Sequence, residues 1–164
     1  MPGTTRDHGD VLNGPLVELD LGVIPSPSGP CALVLHGEEN SDCLVVMHVH
    51  RPADPAAELA AVVTFHSCEQ STFGYPNDEA YWAVEGAGYG FYEVPDSDWD
   101  LRLREFNLQR FPHPHPSAYR LRHYFMGCHD ASGQFLAVGL TIEVVPEGYT
   151  AALRRALRQL GAEP

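Results

Sequence analysis

CALVLHGEENSDCLVVMHVH, residues 31–50, consists of two apolar runs, 31–37 and 41–50, separated by the polar residues GEEN. Each run is short and continuous, rich in Val and Leu and bounded by turn residues. That is the pattern of a strand buried on both faces rather than of a helix. The four-residue separation makes the pair a hairpin, so the neighbouring strands start from an antiparallel arrangement. Moving outward, AELAAVVTFHSCEQ (57–70) supplies a third core strand. On the other side, LVELDLG (16–22) alternates polar and apolar residues as a half-buried strand does. IPSPSGP (24–30) reads as a proline-rich turn or extended link, and residues 1–13 as a flexible leader.

Further along, PNDE (76–79) has the signature of a helix start. Asn77 caps, Asp78 and Glu79 sit where the helix dipole favours anions, and a short helix over about 78–85 follows. YGFYEV (89–94) is a strand. PDSDWDLRLREFNLQRF (95–111) opens with Asp96 or Ser97 as cap and places Trp99, Leu103 and Phe106 on one helical face. A strand from Tyr119 to about Cys128 comes next, then the turn DASGQ and FLAVGLTIEVV (135–145), read as the longest apolar strand. The last element, PEGYTAALRRALRQLGAEP, is a helix with Tyr149, Leu153, Leu157 and Leu160 on one stripe and Gly161 as its stop. The order predicts an α+β fold: one domain over residues 14–164, with a largely antiparallel, twisted sheet and two or three helices packed against it.

Composition narrows the functional classes. The 164 residues suffice for one core that buries roughly 70% of the unfolded chain's surface. The 44% apolar and 20% charged residues are those of a globular protein. With 22 acidic residues against 10 basic ones the net charge is -12, which repels phosphate backbones and argues against nucleic acid as a partner. It favours instead a small molecule or a basic protein. No stretch approaches the ~18 to 20 apolar residues of a membrane span and no signal-peptide core is visible, so a cytoplasmic protein is expected without a membrane partner. The four cysteines form no Cys-x-x-Cys pair and read as reduced, mostly buried thiols.

Several polar residues stand in positions that could carry chemistry. His48 and His50 alternate on one strand, roughly 6 to 7 Å apart on one face. They could share a zinc or iron ion if a third ligand arrived, or be an ordinary strand end; no cofactor is otherwise expected. His113 and His115, in the loop FPHPHPSA, read as surface residues. His123 lies on an apolar face, as core histidines do, whereas His129 and Asp130 close the strand, where functional groups often sit. Asn77, Asp78 and Glu79 either cap a helix or line a site ringed by aromatic residues, with His66, Glu93 and Trp99 within reach. In the catalytic version His129 is the acid or base, Asp78, Glu79 or Asp130 orients it, and Asn77 binds substrate. No Gly-x-Ser-x-Gly, phosphate-binding glycine loop or His-Glu-x-x-His occurs.

Taken together, FGYPNDEA, YGFYEV with Ser97 and Trp99, Asn107, the loop histidines and LRHYFMGCHD resemble a group of small bacterial proteins of about this length that has no established activity. The resemblance covers roughly residues 65–140. Such proteins often carry His-Pro-Leu after PNDEA and Ser-Thr-Phe-Glu after the His-Asp pair, where this chain has YWAVEGAG and ASGQF. The resemblance implies that PNDE and HD belong to one recurring constellation. Two functional expectations follow: a small-molecule pocket or enzyme that uses His/carboxylate acid–base chemistry, or an acidic interaction module of the immunity or antitoxin kind. A His-ligated metal protein is a third.

Overall fold

The computed structural model describes residues 12, 15–28, 32–36, 41–75, 81, 84, 86–111, 113 and 121–161. Its strands are β1 (Val17–Glu18), β2 (Ile24–Pro25), β3 (Leu33–His36), β4 (Cys43–Arg51), β5 (Asp54–His66), β6 (Gln70–Gly74), β7 (Gly90–Glu93), β8 (Arg122–Gly127), β9 (Ser132–Ala137) and β10 (Gly139–Val145). The helices are α1 (Asp98–Arg110) and α2 (Tyr149–Gln159). All described strand pairs are antiparallel, and the architecture is α+β. The strands form two sheets rather than the one expected. The first runs β1-β7-β8-β9-β6; the second runs β10-β5-β4-β2, with β3 also paired to β4.

The two runs read from residues 31–50 pair antiparallel as β3 and β4, with Leu33 opposite Val46 and His36 opposite Cys43, while residue 31 and the connection at 37–40 lie outside the described residues. β4 is buried on both faces. Cys43, Val45, Met47 and Val49 enter the core between the sheets, whereas Leu44 and Val46 lie under α2. The inter-sheet core is joined across its middle by Phe65 and Phe135, stacked with ring centroids 3.8 Å apart. Helix α2 docks through Ala152 and Ala156, both fully buried, because small residues let the helix backbone approach Leu44, Val46, Ala60 and Val62. Gly161, with φ of 68°, ends it as expected, the conformation that glycine adopts without steric cost.

The expected long strand over 135–145 is two strands. β9 belongs to the first sheet and β10 to the second, and the chain changes sheets at Val138. Alongside it, β5 and β6 do the same at Ser67, which takes a left-handed φ of 47°. His66 pairs with Gly139 on one side of this corner and Gln70 with Leu136 on the other. One antiparallel ribbon therefore folds over itself, so both sheets present apolar faces to one another. The apolar run is continuous through the bend, which is why periodicity alone does not mark it.

Three other expectations change. The half-buried strand over 16–22 is reduced to Val17–Glu18, both exposed, although Leu19 and Leu21 still pack on the core. α1 forms over the expected residues, but none of them is buried; apolar Leu101 and Leu108 point outward together with Phe106. Leu12, inside the expected leader, is buried beside Tyr81, Tyr92 and Phe125 on the outer side of the first sheet. The expected helix at 78–85 falls largely outside the described residues.

Candidate functional site

The site is built where α1 begins against the outer face of the first sheet. PDSDW places Ser97 at the N-cap of α1, where its Oγ accepts from the backbone N–H groups of Trp99 at 3.2 Å and Asp100 at 3.4 Å. The hydroxyl proton is left for another acceptor, and Nδ1 of His123 lies 2.7 Å away. His123 occupies the second position of β8, pointing to the same side as Phe125. On β9 its direct partner is Leu136, and diagonally beyond it Gln134 accepts from His123 Nε2 at 3.0 Å through Oε1. The network defines the tautomer: Nε2 carries the hydrogen and Nδ1 the lone pair.

His123 is 1% exposed, and its burial pushes the imidazole pKa down to about 4, against a smaller opposing effect of the Gln134 hydrogen bond. Relative to an ordinary histidine, charging it costs about 3 kcal/mol more. The Trp99 indole and the imidazole meet edge to face, with centroids 5.1 Å apart, and Trp99 Nε1 donates to Gln70 Oε1 at 2.8 Å. Among the described residues, every buried side-chain nitrogen and oxygen has a hydrogen-bond partner. The Ser97–His123–Gln134 chain is therefore closed within the protein.

A cleft of about 270 Å³ opens beside this chain, lined by Ser97 and His123 and walled by two ion pairs. Asp100 Oδ2 and Arg104 Nη2 are 2.7 Å apart, and Arg104 also donates to the Leu121 carbonyl at 3.3 Å. Arg122 Nη1 and Glu93 Oε2 are 3.4 Å apart at the outer rim. Burial raises the Asp100 pKa, and the Arg104 guanidinium offsets part of that rise. Asp96, just before Ser97, has a left-handed φ of 53°, a conformation that Asp tolerates better than most residues. The cleft thus carries two donors and two carboxylates already neutralised in pairs, around a neutral imidazole.

Of the residues expected to bind a ligand, Glu93, Trp99 and His123 gather here. Asn77, Asp78 and Glu79 lie outside the described residues. His129 and Asp130 stand beyond the far end of β8, in its connection to β9. The His129 side chain is 51% exposed; its Nδ1 meets the Tyr89 hydroxyl at 3.0 Å, and its Nε2 is 3.9 Å from Asp130 Oδ1. His66 sits at the corner between the sheets, with Nδ1 3.2 Å from Asp42 Oδ2 and Nε2 2.8 Å from Thr141 Oγ1. These three places are separate, so the gathering of His129 with Glu93 and Trp99 that the sequence suggested is not what the fold produces.

Of the possible metal pair, His48 is engaged otherwise. His48 Nδ1 lies 3.2 Å from Glu58 Oε1, and its ring stacks on Tyr149 at 4.9 Å. His50 is buried rather than solvated, beside a register irregularity of β4 between Val49 and Arg51. Among the described residues no group of three or more His, Cys, Asp or Glu side chains is placed to hold an ion. No helix of the described residues is long and apolar enough to cross a membrane.

Ser97, Asp100, Arg104, Arg122 and Gln134 are the members of the site that sequence reasoning did not single out as functional. The capping position of Ser97 was legible, but its partner 26 residues away was not; Gln134 was read as part of the turn DASGQ, whereas it lies in β9 and is buried. Compared with protein-family models, curated proteins and solved structures, the chain finds no match.

Proposed function

We propose that the protein binds a small polar molecule in the cleft at the start of α1, with Ser97 and His123 as the hydrogen-bonding and proton-handling pair. The observation that carries this reading is the 2.7 Å contact between Ser97 Oγ and His123 Nδ1 at the wall of the cleft. A neutral imidazole that accepts from a serine hydroxyl increases the electron density on Oγ, as in hydroxyl-activating pairs. Two differences favour binding over turnover. Gln134 stands where a carboxylate would stabilise an imidazolium, and the low pKa of His123 makes it a weak base.

The volume limits the ligand. At about 270 Å³ the cleft falls just below the ~300–1,000 Å³ of sites for drug-sized molecules, so a fragment-sized ligand fits. Because the lining guanidinium and carboxylate groups are already paired, the matching ligand offers acceptors to Arg104 and Arg122 and donors to Asp100 and Glu93. A polar, net-neutral or zwitterionic organic molecule meets that requirement.

The test is a screen of polar fragments by amide and histidine NMR on the whole chain. Hits are expected to shift the signals of Ser97, Asp100 and His123 and to bind at least tenfold more weakly to Ser97→Ala. Hits that leave those signals unmoved, or that bind Ser97→Ala equally well, reject the cleft as the site.

A further inference from the structure

The corner where the ribbon changes sheets holds a second set of polar groups, outside the cleft. Thr64 and His66 alternate on β5, so both side chains lie on the face that carries α2. Gln159 ends the helix and reaches Thr64, with Nε2 3.3 Å from Thr64 Oγ1. The His66 side chain, one step further along the strand, is left 40% exposed. On one side of it Asp42 precedes Cys43, whose partner is Phe65. On the other, Thr141 of β10 stands two residues beyond Gly139, the residue opposite His66.

The three side chains form one line. His66 Nδ1 lies 3.2 Å from Asp42 Oδ2, and His66 Nε2 lies 2.8 Å from Thr141 Oγ1. A carboxylate only accepts, so Nδ1 carries the hydrogen, Nε2 carries the lone pair, and the exposed Thr141 hydroxyl donates to it. Asp42 is itself fixed. Its Oδ1 accepts from Ser67 N–H at 3.1 Å, and Ser67 holds a left-handed φ of 47° that serine adopts at a cost.

We propose that Asp42, His66 and Thr141 form a hydroxyl-activating relay that makes Thr141 an acceptor of acyl groups from activated acyl compounds, thioesters or aryl esters. Carboxylate, imidazole and hydroxyl, each within hydrogen-bond reach of the next, are the arrangement that turns a weak alcohol nucleophile into a reactive one. It contains the element that the cleft lacks, since Asp42 stands on this imidazole where Gln134 stands on His123. At a position this exposed, water could satisfy all three groups, so the line adds little to stability; yet a strained turn holds it. Thr141 Oγ1 attacks the acyl carbon as its proton passes to His66 Nε2. The bond from that carbon to the leaving sulfur or oxygen then breaks, its electron pair departs with the leaving group, and the proton from His66 completes the thiol or phenol. One acyl group is transferred and nothing is oxidised or reduced. The three side chains supply a nucleophile, a base and its orienting carboxylate but no donor to an oxyanion, so the acyl compound must carry a good leaving group.

The test incubates the native, folded chain with p-nitrophenyl acetate and follows p-nitrophenolate release and acetylated peptides. The chain has no lysine, so the amines that such esters commonly acylate are confined to the α-amino group. The expected result is one acetyl group on Thr141, absent in Thr141→Val and retained on the hydroxyl of Thr141→Ser. His66→Gln should slow labelling by at least about tenfold. Asp42→Asn should slow it as well, and histidine NMR should show His66 losing its preference for the Nδ1–H tautomer, which Thr141→Val leaves in place. No acetyl on Thr141, equal labelling in His66→Gln or in the urea-unfolded chain, or an unchanged tautomer in Asp42→Asn overturns the proposal.

Discussion

The Ser97 hydroxyl caps helix α1 through two backbone N–H groups and donates its own proton to Nδ1 of His123, 2.7 Å away. One oxygen thus ties the helix start to the buried face of β8, which is the main anchor of a helix that buries none of its residues.

Removing that oxygen has two consequences. Ser97→Ala loses the cap, about 1 kcal/mol, and leaves a buried ring nitrogen unpaired, a further ~1–3 kcal/mol. Urea unfolding should therefore show a loss of about 2–4 kcal/mol. A loss as small as that of an exposed cap would mean that the contact to His123 contributes nothing.

Ser97→Asp separates capping from proton donation. The carboxylate accepts from the helix N–H groups but offers no proton to Nδ1, and its charge favours the imidazolium. The His123 titration, about 4 in the native chain, should move upward. Histidine NMR reads this directly, and an unchanged midpoint would contradict the assigned hydrogen bond.

The low pKa of His123 also sets a pH dependence. Its folded value of about 4 lies below the ordinary 6.5 of the unfolded chain. Above about pH 6.5 both states are neutral and the contribution to stability is fully present. As pH falls from 6.5 towards 4 the unfolded state takes up a proton that the folded state refuses, so stability declines, by about 3 kcal/mol in total. The stability difference between the native chain and His123→Gln should shrink by about that amount across the window. A difference that stays flat from pH 7 to 4 would exclude a buried, neutral His123.

At Gly127 the constraint is steric. A Cβ there would overlap the Gly88 carbonyl oxygen, an atom of the backbone that cannot swing aside. Gly127→Ala should destabilise the chain by about 3 kcal/mol and disturb the pairing of Gly127 with Gly90. Retained stability with unshifted β7 and β8 amide signals would show that the strands do not approach so closely.

Ser67 tests the corner. Its φ of 47° is sterically easier for glycine, and the Ser67 N–H bond to Asp42 Oδ1 at 3.1 Å survives the change. Ser67→Gly should raise stability by roughly 0.5–1 kcal/mol, and the β-branched Ser67→Val should lower it. The reverse order in thermal unfolding would rule out a left-handed residue at this turn.

Much of the local structure was legible in the residues themselves. Continuous apolar runs at 31–37 and 41–50 dictated an antiparallel pair of which β4 is buried on both faces, a cap followed by WDLRL dictated the start of α1, and Gly161 marked the end of α2, because each depends on neighbours in the chain. His123 on an apolar face was readable as a core histidine for the same reason. The tertiary structure alone decided that FLAVGLTIEVV divides between two sheets, since the apolar run continues through the bend at Val138 and only the apposition of the sheets requires it. It alone decided, too, which polar groups meet. Ser97 is 26 residues from His123 and Gln134 is 11, distances that no local pattern spans; burial forces the imidazole to find partners, and the strand register determines which ones they are.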